Sequence, residues 1–589
     1  MAGGCGFSSP VNPSGRTLFT TSARLKTLDP ALAADAASST AVGHLYDRLL
    51  EYEYLARPYR LRPSMGVAMP TVTEEGRVYT FTLRQDLYFA PDPCFPAGSE
   101  GNPRRVTARD VVFSLLRIAD GRVHSSGYWI FRDCLVGVDA FHAQTVQSAE
   151  GDYSLYEHGI AGLSAPDDRT VVFRLHKPFP RLLNTLAMPY CSILPERAIR
   201  AYGMGLGEHP VGSGPFLLRE WRRNYRIVFG RNPDYRPQLD EDGPRTLPNV
   251  DAVVCNVVQE PLTAWLLFLQ GNLDMTQLSD DTFESVMSKD IELSPDLRDR
   301  GVHLHRTAEF QINYIAFNAR DPLLGRNLKL RQAISLAYSV GTRVEMASRQ
   351  LTPANGPIPP GVSGYDEGFT NPYATYDVGH AQELLREAGF PDGTDPGTGR
   401  PLTLHFDLGR TDLLGRQQAE MMVSDMRKLG IRIVPHLNSW PRFLEKINRG
   451  DTQLFRLAWI GDYPDGQNFL QLFYGPNAGS CNRAFYRNSE FDALYEQAVD
   501  LPESPERSAL YGRMQRLVAE DCPWIFESYP VSFRLAQPWV AAYVPHHFAC
   551  DVWKYLQVDP EARTRLKAGF RPLRLRRPAS HEAATPDRS

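Results

Sequence analysis

The chain has 589 residues, with 64 Lys and Arg against 68 Asp and Glu and a formal net charge of −4. That balance leaves no global field to draw it to DNA or RNA, and no apolar run reaches the ~18 residues a membrane-spanning helix needs. The length implies several structural units, and an aromatic content of 11%, with 26 Tyr and 8 Trp, suits burial of a sizeable amphipathic ligand.

Residues 1–14 include Ala2-Gly3-Gly4-Cys5 and a Gly/Ser/Pro/Asn spacer, without a charged or apolar signal region. Small residues before a cysteine look like the end of a bacterial lipoprotein signal, where Cys5 would take the lipid. A plain small-residue start is the other reading. Residues 41–50, AVGHLYDRLL, read as a helix with Val42, Leu45 and Leu49 on one face. VYTFTL (78–83) and TVVFRL (170–175) alternate as half-buried strands. Between them a helix starts at Thr107, a fitting N-cap with Asp110 at N3. YRIVFGRNPDYR (225–236) is a strand and a turn.

The second half is more regular. FQINYIAFN (310–318) reads as a strand, and 329–350 as one helix with Leu330, Ala333, Ile334, Ala337 and Tyr338 in register. The next helix has Asp377 as N-cap and Gly389 as C′. Then come strand LTLHFDL (402–408), a helix through Ala419, Met422, Val423, Met426 and Leu429 stopping at Gly430, and strand IRIVPHL (431–437). A short helix starts at Ser439-Trp440-Pro441, and strand LFRLAWI (454–460) closes the series. This alternation predicts an α/β layer with parallel strands. Ligands of such sheets collect at the carboxyl ends of the strands. Gly461-Asp462-Tyr463-Pro464-Asp465-Gly466 reads as the turn at one of those ends, with Pro464 fixing φ and Gly466 taking positive φ. Residues 561–589, basic and then polar, read as a disordered tail.

No pattern for catalysis emerges. GxxxxGK[ST], GxSxG and HExxH do not occur, and VGSGPF (211–216) fits a structural turn better than a phosphate cradle. Asp462 and Asp465 are too close in sequence to flank a scissile bond. The eight cysteines show no CxxC or zinc spacing, and His546, His547 and Cys550 lack a second ligand pair. They read as buried thiols or one or two disulfides. The expectation is a protein that is not an enzyme and holds no cofactor or metal.

The order of motifs is more specific than any one of them. GHLYDRLLEY (43–52), YTFTLRQDLYF (79–89), VTARDVVFSLLRI (106–118), VGSGPFLLREW (211–221), RNPDYR (231–236), YIAFNAR (314–320), AQELLREAGF (381–390), WIGDYPDGQNFL (459–470) and NSEFDALYEQA (488–498) follow in succession. This series resembles the family 5 solute-binding proteins of bacterial ABC importers, over residues 15–560. The resemblance implies an α/β, two-lobed periplasmic-binding-protein architecture (type II, Venus-flytrap) with an extra subdomain. Lobe I would comprise 15–50, 201–307 and 528–560, the subdomain 51–200, and lobe II 308–527. It also implies a monomer that traps a short peptide by hinge closure and delivers it to ABC permease subunits. The setting would be the periplasm or the outer face of the cytoplasmic membrane, with no nucleic acid partner.

RLAWIGDY (456–463) is similar to a segment of oligopeptide-binding members that reads Arg, two residues, Trp, two residues, Asp-Tyr. By that resemblance Asp462 pairs with the peptide α-ammonium and Arg456 with its carboxylate. Strand parity agrees, since i and i+6 share a face and lie at most ~20 Å apart. A structural ion pair is the other reading of Arg456, and an Asx-turn that of Asp462. Trp459 and Tyr463 would wall the pocket, with core packing an equal reading of Trp459. The backbone of Asp35, Ala36 and Ala37 would bond the peptide main chain. Asp465-Gly466-Gln467 departs from the Glu-Pro or Asp-Pro that often follows Asp-Tyr, which leaves ligand size open. A non-peptide solute (sugar, opine, metal chelate or heme) on the same fold is the alternative. A cytoplasmic ligand-sensing regulator would need a DNA-binding domain ahead of residue 15.

Overall fold

The chain leaves its first unit after Arg306 and returns to it at Phe533, so one unit holds Met1–Arg306 with Phe533–Ser589 and the other Thr307–Ser532. The computed structural model describes residues 15–570 except 97–101, 241–242, 280–281, 284–285, 289–290 and 348–349. Cys5 and residues 571–589 therefore lie outside the described residues.

In the first unit the elements that matter are β1 (Thr17–Ser22), α1 (Ala36–Leu45), β2 (Val78–Thr82), α2 (Ala108–Ala119), β3 (Thr170–Arg174), β4 (Phe216–Arg222), β5 (Arg226–Arg231) and β6 (Ala252–Val257). One sheet runs β1-β6-β5-β4, with β1 parallel to β6 and the other pairs antiparallel. A second four-stranded sheet is centred on the antiparallel pair β2 and β3. Helix α2 begins as expected at a capping box, in which Thr107 caps the Asp110 amide and Asp110 Oδ2 accepts from the Thr107 amide at 2.9 Å. Helix α1 starts earlier than its apolar spacing suggests, because Asp35 Oδ1 accepts from the Ser38 amide at 3.0 Å, and it ends at Leu45. VGSGPF explains that end. The Gly214 amide donates to the Leu45 carbonyl at 3.0 Å, and a Cβ on Gly212 would fall 2.0 Å from the same oxygen. Only glycine permits so close a backbone approach.

The second unit contains β7 (Gln311–Phe317), α3 (Leu328–Ala337), α4 (Val340–Met346), α5 (Val378–Glu387), β8 (Thr403–Leu408), α6 (Leu413–Arg427), β9 (Arg432–Leu437), α7 (Trp440–Arg449), β10 (Leu454–Ile460) and α8 (Pro505–Asp521). Strand β11 (Trp524–Ala536) carries the chain back to the first unit. The order β11-β7-β10-β8-β9 is mixed rather than all parallel. β9, β8 and β10, joined by helical crossovers, are parallel, whereas β7 is antiparallel to both β10 and β11. Leu404, Phe406, Met422, Met426, Leu384 and Ile334 lock α3, α5 and α6 onto this sheet. The helix expected over 329–350 breaks at Tyr338, because Ser339 turns out of helical geometry and caps α4 through the Thr342 amide.

One further expectation changes. Helix α9 (Pro560–Ala568) occupies the start of the presumed disordered tail. Asp559 caps it, and Arg563 reaches Asp274 Oδ2 at 2.7 Å and the Thr17 carbonyl at 2.6 Å, which buries this basic residue with a partner. Among the described residues, Cys94, Cys134, Cys191, Cys255, Cys481, Cys522 and Cys550 are free thiols and form no disulfide.

Candidate ligand-binding site

Strand β10 pairs along its whole length with β7, which sets Trp459 opposite Ile312 and Arg456 opposite Ile315. The pairing runs one residue further, since the Gly461 amide donates to the Phe310 carbonyl at 2.7 Å. There the chain turns, and a buried side chain supplied by the following helical turn fixes it. Asn468 is 0% exposed. Its Oδ1 accepts from the Asp462 amide at 3.1 Å and from Trp459 Nε1 at 2.9 Å, while its Nδ2 donates to Asp462 Oδ2 at 3.0 Å. One amide thus orients both the acid and the indole.

Asp462 is half-buried, and no cation among the described residues lies within ion-pair distance of it. Burial pushes its carboxyl above the usual range, and the Asn468 hydrogen bond pulls the other way. The result is a carboxylate held in place without a counter-charge from the second unit. Such a group gains from an incoming ammonium.

Arg456 is differently placed. Its Nη2 and Nε lie 2.6 Å and 3.0 Å from Glu527 Oε2. Arg343 Nε stands 2.8 Å from Oε1, and the Tyr338 hydroxyl donates to Oε1 at 2.6 Å. Burial raises the Glu527 carboxyl, yet the guanidiniums of Arg456 and Arg343 and the hydrogen bonds from Arg456 and Tyr338 outweigh it and hold it at about 2. The Arg456 charge is therefore answered inside the unit, as in the ion-pair reading, rather than standing free for a ligand carboxylate.

The neighbouring acid is an anchor, beyond the simple turn residue that the sequence suggests. Asp465 accepts from Tyr511 Oη at 2.7 Å and from the Gln467 amide at 2.9 Å, and pairs with Arg507 at 2.9 Å. Gly466 has φ −57, so the expected positive φ is not what requires glycine. Close packing does, because a Cβ would lie 2.8 Å from Ile358 Cδ1 and from the Ser363 carbonyl. Tyr463 is only 2% exposed, with its hydroxyl on Gln467, whereas Trp459 is half-buried. In the first unit, Asp35 is the N-cap of α1, and Ala36 and Ala37 occupy the first helical turn, where amides lack intrahelical acceptors.

Sequence reasoning missed Asn468, Glu527, Arg343 and Tyr338. The only local signal was for Asn468, a polar amide six residues after Asp462 in the turn that follows it.

The model of the bacterial extracellular solute-binding proteins, family 5, matches residues 30–481. The chain belongs to that family. It is a binding protein of the extracellular class and not an enzyme. Heme-binding protein A of Haemophilus influenzae is 26% identical over 543 residues, which cover 90% of each chain. Di/tripeptide-binding protein 2 of Pseudomonas aeruginosa is also 26% identical, over 82% of this chain and 85% of its own. Among solved structures, the ABC transporter-associated periplasmic binding protein DppA from Helicobacter pylori, in complex with peptide STSA, superposes with a TM-score of 0.68. It is 23% identical, with 92% of this chain and 98% of that one covered. The architecture of this family 5 protein is thus that of the periplasmic binding proteins. No described helix is long and apolar enough to cross a membrane.

Proposed function

We propose that this protein captures short peptides and hands them to the permease of an ABC importer. Asp462 holds the peptide α-ammonium, and Trp459 flanks it. Arg456 supports the site from behind through Glu527. The observation that carries this reading is the half-buried Asp462 carboxylate, oriented by Asn468 and without a cation partner among the described residues. Peptide-binding names among the relatives support the ligand class. Cys5, with small residues before it, is the proposed point of lipid attachment.

Native mass spectrometry of the purified protein tests the class. The expected result is a co-purified mixture of short peptides. Heme is the competing ligand, since one relative is a heme-binding protein. A bound mass of a single porphyrin, with no peptide displaced by a tripeptide titration, would overturn the peptide reading.

A further inference from the structure

Among the described residues of the first unit, one buried arginine has no partner. Arg181, just before the short helix Leu182–Thr185, is 1% exposed. None of Nε, Nη1 and Nη2 has a hydrogen-bond partner. Every other buried arginine among the described residues has a carboxylate within 3.9 Å: Arg48 with Asp551, Arg84 with Asp86, Arg117 with Asp29, Arg236 with Asp47, Arg343 with Glu527, Arg507 with Asp465 and Arg563 with Asp274. The chain's own practice is thus to pair such groups, and Arg181 departs from it.

The described residues around it offer no substitute. The guanidinium carbon sits 5.6 Å from the centroid of the Phe179 ring. Its charge reaches the phenol of Tyr79 on β2, which also feels the thiol of Cys134. Burial, with Cys134 adding to it, raises the Tyr79 phenol despite Arg181, and burial pushes the Cys134 thiol up to about 12. Both are neutral at ordinary pH, so neither supplies a negative charge. Arginine cannot shed its proton in a protein. An isolated buried ion is far costlier than an unmade hydrogen bond. Among the described residues, no carboxylate supplies the counter-charge.

We propose that Arg181 is the seat of a buried anion site that takes a small monovalent inorganic anion of the chloride class. A guanidinium presents its N–H donors in one plane, which suits a compact anion at its edge. The near-complete burial excludes a bulky ligand. An anion there would tie the loop carrying Phe179 and Arg181 to β2, so occupancy would be read in the stability of this unit. The site is independent of the peptide reading of Asp462, which belongs to the other unit.

Two measurements decide it. Crystals grown in bromide are expected to show an anomalous peak at the edge of the Arg181 guanidinium. Thermal unfolding at constant ionic strength, with chloride exchanged for gluconate, is expected to give a Tm that rises with chloride in the wild type and stays flat in Arg181→Met. The absence of a bromide peak at Arg181, including density there that stays water alone, would overturn the proposal. So would a chloride-dependent rise that persists in Arg181→Met. Should that variant fail to fold, the bromide experiment on the wild type decides alone.

Discussion

Replacing Glu527 by Gln separates the two roles that the sequence leaves open for Arg456. Glu527 is 0% exposed and meets two guanidiniums and a phenol. Its carboxyl is held at about 2 against an ordinary value of 4.5. At ~1.36 kcal/mol per unit, this linkage is worth about 3 kcal/mol. The sign follows from the depressed value: the stabilisation is present above about pH 4.5 and is lost as pH falls toward about 2. Gln keeps the shape and removes the charge, leaving buried Arg343 and half-buried Arg456 without a counter-ion, a change that typically costs about 3–5 kcal/mol. For a unit of this size each kcal/mol moves Tm by roughly 2–4 °C. Circular dichroism melts at neutral pH should therefore show a fall of roughly 6–20 °C. Melts across the acid range should show that the variant lacks the wild-type loss between about pH 4.5 and 2. A Tm within about 2 °C of wild type at pH 7 would refute the claim that Glu527 is the partner of Arg456. Arg456 would then again be a candidate for the ligand carboxylate.

Three expectations concern the site itself. Asn468→Ala removes the donor to Asp462 and the acceptor shared by two N–H groups. With each buried orphan costing about 1–3 kcal/mol, peptide affinity should fall about tenfold or more by calorimetry. Unchanged affinity would show that Asn468 does not position the acid. Because burial raises the Asp462 carboxyl, peptide affinity should weaken on acidification at a higher pH than an ordinary aspartate would dictate. A titration of the dissociation constant against pH that follows a normal aspartate would contradict this. Arg456→Met should destabilise the unit while leaving the preference between free and amidated peptide C-termini unchanged.

The strand–helix alternation of the second unit is legible because each element carries its own signal. LFRLAWI coincides with β10, and Asp377, Gly389, Gly430 and Ser439 mark helix ends where the structure has them. Elements set by distant partners are not legible. The start of α1 follows its cap at Asp35, and its end follows the backbone of Gly212 and Gly214, which lie far along the chain. The break after α3 places Tyr338 on Glu527, a contact across 189 residues. Spacing cannot announce such a pairing, and for the same reason the sequence could not choose between the two readings of Arg456. Asp462 was legible through the strand end and the motif around it. Asn468 was not, because its role exists only once the turn has folded back on itself. Gly466 was recognised as necessary for the wrong physical reason, since crowding rather than φ requires it.

The central claim is that Asp462 hooks the amino end of a peptide. The most direct test is calorimetry of wild type and Asp462→Asn with a free tripeptide and with the same tripeptide N-acetylated. A hydrogen bond between charged partners is worth about 1.5–3 kcal/mol, so the substitution should weaken the free peptide roughly 10- to 100-fold. It should change the already weak binding of the acetylated peptide little. An equal loss for both peptides, or none for either, would contradict the account.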